Sequence, residues 1–425
     1  MCRLKWFIFA LILFPFYSEA QTAYCGPFTP HSNISETGHS FETIRGDSIN
    51  CGSSAGISLT NCHDIHITKS KFVNGTTVNG VGIYLLGCYN ITIDSCFFSG
   101  TSSGLYAQLC TGGIVFQNNH VLNMQGPLPR GQMVQYSSCT GAGNVISYNI
   151  SQGTPGSNNY EDHINIYASS GTVVSPILIE YNSIYGESTS TTGSGITVAD
   201  GSGGSYITVM YNTVVNCGSH GIQAAGGTYI NISNNTIYSK ETSTSILGLG
   251  YGNYSGNPSN NVTMGFNRIK WTNSSGHEAD TSHHWEAGSA QVPVPAAWST
   301  NYVNSAIDST VLSFPLWASC VVPPNISYSP SSQSWTQYVA ISTWSPTNTG
   351  GAATSWAISP TQPSGIIFNT GTGAITGTPY NVQSSTGYVV TATNGAGSSN
   401  TTIYITVTAS SAGVIVVRGF TAHFE

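Results

Sequence analysis

The sequence predicts an all-β protein: a right-handed parallel β-helix solenoid followed by a small antiparallel β-sandwich. Three observations carry this. A strand–turn unit recurs with an asparagine at its corner. Only 6% of the 425 residues are charged, against about 25% in typical soluble domains. And residues 321–410 contain no Asp, Glu, Lys or Arg.

The repeat fixes the first part. Its asparagines are Asn119, Asn149, Asn182, Asn212, Asn235 and Asn267, at spacings of 30, 33, 30, 23 and 32 residues. Each follows a short alternating run such as Ile177-Leu178-Ile179-Glu180. Self-similarity at this period means stacked rungs. Each rung lies about 4.8 Å from the next, with a corner amide stacked on its neighbours and satisfying the turn backbone.

Elements follow in chain order. Arg3, Lys5, the apolar run Trp6–Phe16 and Ser18-Glu19-Ala20 predict a signal peptide over residues 1–20, hence a secreted, extracellular or surface protein. The solenoid with its caps is expected over 21–320. Residues 21–55 are expected to be an irregular N-terminal cap, with rungs from Ile57 to Trp271. Residues 272–320, with His277, His283, His284 and Trp285, are expected to cap the other end. No segment beyond the signal is apolar enough to span a membrane.

Ten cysteines occur, nine of them outside the signal. Cys62, Cys88, Cys110 and Cys139 fall at similar rung positions and read as small buried residues filling a corner, although export would permit disulfides. The lack of a Cys-x-x-Cys pair argues against zinc. Net charge is −7 with only ten Lys and Arg, and no basic stripe occurs, which excludes nucleic acid as a partner. A monomer is expected.

The uncharged segment 321–410 shows short alternating strands and turn signals. Lacking every charged side chain, it can supply neither a general acid or base nor a carboxylate metal site. Residues 411–425 fit neither part.

Aligning the rungs places Val134, Ile164, Ile166, Ile196, Val198 and Ile222 inside. Gln135, Asn165, Thr197 and Gln223 form one outward row. Gln132, Asp162, Ser194 and His220 form a second row at the strand entrance. Scarce residues gather here. Glu161, Asp162, Asp200 and His220 are the candidate catalytic groups. Arg130, Gln132, Gln135, His163, Asn165, Tyr167 and Gln223 are the candidate ligand-binding groups, with Tyr160 as a second stacking platform. Calcium held by the acids is the one cofactor the pattern admits.

Two resemblances add to this reading. Trp356-Ala357-Ile358-Ser359-Pro360, Gly371-Thr372-Gly373-Ala374-Ile375-Thr376-Gly377-Thr378-Pro379 and Ala392-Thr393-Asn394-Gly395-Ala396-Gly397 resemble the immunoglobulin-like modules of bacterial surface and secreted proteins. Gly126-Pro127-Leu128-Pro129-Arg130-Gly131-Gln132-Met133-Val134-Gln135, Glu161–Gly171 and Ser175-Pro176-Ile177 resemble a group of secreted β-helix proteins. That group belongs to the pectate-lyase-like superfamily, which is rich in polysaccharide lyases and hydrolases. The chain departs from it at His163 and at Ser219-His220.

Two functions remain open at this point. One is cleavage of a polysaccharide, by a lyase or glycoside hydrolase, in a groove on the solenoid. Hydrolysis needs two carboxylates about 5–9.5 Å apart, and Glu161 or Asp162 with Asp200 could supply them. Elimination needs a base and a group that neutralises a uronate carboxylate, roles open to Arg130, His163 or His220. The alternative is a non-catalytic glycan-binding or adhesive surface protein. A purely structural fibre suits the irregular rung lengths less well.

Overall fold

The computed structural model describes residues 28–186, 190–240, 243–253, 260–277, 281–286, 294–303, 307–312, 323–394 and 397–410. The expected signal peptide, the tail 411–425, Cys25 and Cys320 lie outside these residues. The chain divides into two compact units, 1–314 and 315–425. Among the described residues, no helix is long and apolar enough to cross a membrane.

The first unit is a three-sided parallel β-solenoid. Sheet A has 11 strands, from Thr29–His31 to Tyr302–Val303. Sheet B has 10, from Ile34–Thr37 to Thr281–Glu286, and sheet C has nine, from Ser40–Arg45 to Thr263–Gly265. From Ser40 to Glu286 each rung runs C to A to B. The expected register holds: Val134 pairs with Ile164, Ile164 with Ile196, and Ile196 with Ile222. These four side chains, with Ile166 and Val198, have no exposed surface. They belong to one continuous core reaching from Ile44 to Trp271.

Two expectations about the ends are corrected. Residues 29–52 are not an irregular cap, since four strands there already pair with the rungs that follow. At the other end, Thr281–Glu286 joins sheet B and Tyr302–Val303 joins sheet A. The first rungs lack the periodic asparagine, whereas at the far end Asn301 continues it just before Tyr302–Val303.

The corner between sheets C and A shows why asparagine recurs. Asn119 Nδ2 donates to Asn149 Oδ1 at 3.2 Å, and the link repeats through Asn182, Asn212, Asn235 and Asn267 to Asn301. Each Nδ2 also donates to a backbone carbonyl two rungs from the Asn that receives it, as Asn182 does to Ile146 O at 2.9 Å. The residue before each Asn turns the corner in the left-handed region: Asn118, Tyr148, Tyr181, Tyr211, Asn234 and Phe266 have φ of 55, 54, 54, 57, 58 and 59°. Such a conformation costs about 1–2 kcal/mol per residue. The buried amide ladder offsets it by satisfying turn groups that would otherwise be unpaired.

The corner between B and C holds Cys62, Cys88, Cys110 and Cys139, all buried and free. Burial pushes the Cys88 thiol up to about 11. Ser169 continues the column, its Oγ accepting from Cys139 N at 2.8 Å.

The second unit is a small β-fold around Trp344, Trp356, Tyr388, Val390, Ile403 and Ile405. Its main sheet joins Ser355–Ser359, Gln383–Asn394 and Gly397–Thr408 antiparallel. Ser332–Thr336 adds to that sheet in parallel, so it is mixed rather than wholly antiparallel. Gly373, at φ +71°, lies where a Cβ would come 2.5 Å from the Trp356 ring, which explains the glycine beside the buried tryptophan.

Candidate functional site

The outward row on sheet B is longer than the four positions expected. Ser35, Ser58, Tyr84, Tyr106, Gln135, Asn165, Thr197 and Gln223 are register partners in turn. The row has two halves. From Asn165 onward it is closed: Asn165, Thr197 and Gln223 are only 3%, 3% and 7% exposed. From Ser35 to Gln135 it is open. A cleft of about 570 Å³ lies there, lined among others by Asn33, Asn79, Tyr84, Tyr106, Gln108 and Arg130.

The closed half is a hydrogen-bonded carboxylate site. Asp162 is 5% exposed. Its Oδ1 accepts from Ser194 N and Thr197 Oγ1, both at 2.8 Å, and its Oδ2 accepts from Asn165 Nδ2 at 2.7 Å. The same Asn165 nitrogen donates to Asp200 Oδ2 at 3.0 Å. Asp200 also accepts from Gly201 N at 2.7 Å and is partly exposed. It reaches this position because the register slips after Ile166, so that Tyr167 pairs with Asp200. Gln223 donates to Ser194 Oγ and Thr197 Oγ1 at 2.9 and 3.0 Å, fixing the hydroxyl that faces Asp162.

These surroundings set the charge state. Burial raises the Asp162 carboxyl to about 7, against the lowering effect of the Asn165 and Thr197 hydrogen bonds; the neighbouring Glu161 and Asp200 charges push it further up.

A chain of contacts joins the two halves. Arg130 Nη1 donates to Gln135 Oε1 at 3.0 Å, and Gln135 Nε2 faces Asn165 Oδ1 at 3.4 Å. The Arg130 guanidinium lies 3.5 Å from the Tyr106 ring centroid. Tyr106 stacks on Tyr84 at 5.5 Å, and the Tyr84 hydroxyl donates to Gln108 Oε1 at 2.8 Å.

The other candidate residues are placed as follows. His163 is 1% exposed, stacked on Tyr160 at 3.8 Å and bonded through Nδ1 to Ser151 Oγ at 2.7 Å. It sits inside the coil, as does Tyr160. Burial lowers His163 to about 3. Gln132 is buried too; its amide accepts from Ser103 Oγ and donates to Pro129 O, shaping the loop that carries Arg130. His220 is 4% exposed and bonded to Ser219 Oγ, and burial lowers it to about 4. Glu161 is engaged by the Ser190 and Thr192 hydroxyls and tethers their loop. Gln223 and Asn165 donate to other side chains of the row. Arg130, Gln135, Tyr167 and Asp200 retain exposed surface, Tyr167 at 39%.

Sequence reasoning missed Tyr84 and Tyr106. The signal was present, because both occupy the outward position of strands aligned with the one that carries Gln135. Attention to scarce charged residues drew the search away from the N-terminal rungs.

Residues 318–409 match the family described as "Putative Ig domain", and residues 32–204 match the family described as periplasmic copper-binding protein (NosD). The chain is thus a parallel β-helix protein with a C-terminal Ig-like domain. Copper does not fit the described residues: no three His, Cys, Asp or Glu side chains converge there as metal ligands. On sheet C the half-buried His63 and His66 each bond a separate carboxylate, Asp64 and Asp94. No curated protein matches the chain by sequence. Among solved structures, similarity extends to the enzymatically active domain of bacteriophage CBA120 tailspike protein 2, at 10% identity and a TM-score of 0.33, over 89% of this chain and 65% of that one. It extends also to the Dettilon tailspike protein, at 14% identity and a TM-score of 0.23, over 87% and 86%. The chain spans less than two-thirds of the CBA120 domain.

Proposed function

We propose that the protein is exported and binds a glycan along the outward face of sheet B, cleaving it beside the Asp162–Asp200 pair. The observation that carries this is the single Asn165 nitrogen shared by two carboxylates of different exposure. Two acids whose surroundings differ in this way can take different roles in one reaction. Asp200 is the group that can touch a glycan. Asp162, enclosed by Asn165, Ser194 and Thr197, holds the Asn165 amide that Asp200 also accepts from. The open row from Ser35 to Gln135 supplies the rest of the groove, with stacked tyrosines of the kind that suit sugar faces. Elimination has less support than hydrolysis, since the candidate bases His163 and His220 are buried.

A second reading, glycan binding without turnover, is favoured by the enclosure of Asp162. One experiment separates them. Purified protein is incubated with a panel of neutral and acidic polysaccharides, and new reducing ends and unsaturated uronate absorbance are followed. Cleavage that Asp200→Asn abolishes supports the first reading. Saturable binding without product, unchanged by Asp200→Asn, supports the second. Neither binding nor product would remove both.

A further inference from the structure

We infer that the cleft at Arg130 is a subsite for the anionic group, a carboxylate or sulfate, of an acidic glycan. This deepens the glycan reading above and rests on it.

The cleft volume, about 570 Å³, lies within the ~300–1,000 Å³ typical of small-ligand sites. Its walls come from the A-to-B connections of successive rungs, through Asn33, Ser54 and Asn79, and from the outward strand residues Tyr84, Tyr106 and Gln108. Arg130 is the one cationic side chain lining it. Its guanidinium is held in place on one face by the Tyr106 ring and through Nη1 by Gln135 Oε1 and Pro129 O. Arg130 forms no ion pair among the described residues. Its Nε and Nη2 donate to no protein group there. A guanidinium fixed in this way, with donors left over, presents a planar fork to an incoming oxyanion. The ordering cost of a flexible cation has already been met by the fold.

The placement also constrains the ligand. Tyr106 is two rungs from Asn165, about 10 Å at ~4.8 Å per rung. An anionic sugar set directly on the Asp162–Asp200 pair would be repelled. The same sugar at Arg130 pairs its charge and leaves the linkage near the carboxylates to a less charged neighbour. The cleft therefore selects glycans with an acidic unit at a fixed offset and sets the direction in which the chain lies.

The test is isothermal titration of the full chain, with turnover blocked by Asp200→Asn. The probes are oligomers of galacturonate, alginate, hyaluronan and chondroitin sulfate, their carboxyl-reduced counterparts, and neutral dextran and cello-oligosaccharides. At least one acidic probe should bind, and removing its anionic group should weaken binding about 10- to 100-fold, as loss of a charge-assisted contact does. Arg130→Gln should cause the same loss for that probe and leave its neutral counterpart unaffected, while Arg130→Lys keeps part of the affinity. Carboxyl reduction and desulfation separate the two anion sources. Equal affinity for an acidic probe and its neutral counterpart, or no effect of Arg130→Gln, overturns the inference while leaving the glycan reading intact. Failure of every probe to bind overturns both. A melting temperature unchanged by Arg130→Gln confirms that the loss is local.

Discussion

Asp162 and Asp200 meet at a single atom, the Asn165 Nδ2, at 2.7 and 3.0 Å. They belong to adjacent rungs 38 residues apart in sequence, and only the register slip after Ile166 lets them share that donor. If the pair acts with one proton, activity should fall above about pH 7, as Asp162 ionises beside Asp200. Asp162→Asn should remove that alkaline limb. Asp200→Asn should lower turnover about 10²–10⁴-fold, the usual effect of losing an acid or base, with little change in melting temperature. A pH–rate profile of the two variants checks both statements.

Asn182 receives two hydrogen bonds from Asn149 and donates to Ile146 O and Asn212 Oδ1. Asn182→Ala should cost roughly 3 kcal/mol or more, because buried amide and carbonyl groups lose their partners at about 1–3 kcal/mol each. Chemical denaturation measures it. A loss below about 1 kcal/mol would mean that the ladder is ornamental.

Acid should unfold the solenoid through its buried histidines. Burial lowers His120 and His220 to about 4 and His163 to about 3. A depressed folded value means that stability is intact above the unfolded value near 6.5 and is lost as pH falls toward 4 and 3. Asp162 acts with the opposite sign: its raised value adds stability at low pH that disappears as pH rises from about 4 through 7. His163→Asn should flatten the fall in stability between pH 6 and 4 (approximate bounds from the unfolded histidine value), and Asp162→Asn should steepen it. Denaturation midpoints across that interval decide.

Cys62, Cys88, Cys96, Cys110, Cys139 and Cys217 are buried free thiols. Burial raises Cys96 to about 12. Iodoacetamide should label none of the six in the native protein and all of them in denaturant, as mass spectrometry of tryptic peptides would show. A native disulfide among them would contradict the structure.

A chain ending at Phe314 should keep the solenoid's cooperative unfolding and its glycan chemistry. Among the described residues, the solenoid core contains none from the second unit, and the core of the second unit none from the first. Loss of binding in the shortened chain would give the Ig-like domain a direct part in recognition.

Much of this architecture was legible before any coordinates. Alternation gave the inward set from Val134 to Ile222, and the asparagine spacing gave the corner. Both are one-dimensional signals of strand periodicity and rung length. The site was legible only in part, because period two places a side chain on a face without saying whether that face is open. Asn165, Thr197 and Gln223 point outward and are nonetheless enclosed. His163 is buried in the coil although period two counted back from the inward Ile164 would turn it outward, because the strand begins only at Ile164. Tyr84 and Tyr106 went unnoticed because tyrosine is common in this chain, and only the cleft around them sets them apart.

The two kinds of connection in each rung behave differently. From Lys71 to Arg268 every passage from sheet C to sheet A uses two residues, whereas passages from A to B over the site rungs range from four residues before His220 to 11 before Val134. The first kind carries the amide column, and the second carries Arg130 and the loop that Glu161 tethers. Insertions and deletions can therefore accumulate beside the groove without disturbing what holds the coil together. A lineage could exchange one glycan for another by trading these loops, and an engineer could graft them onto the same scaffold.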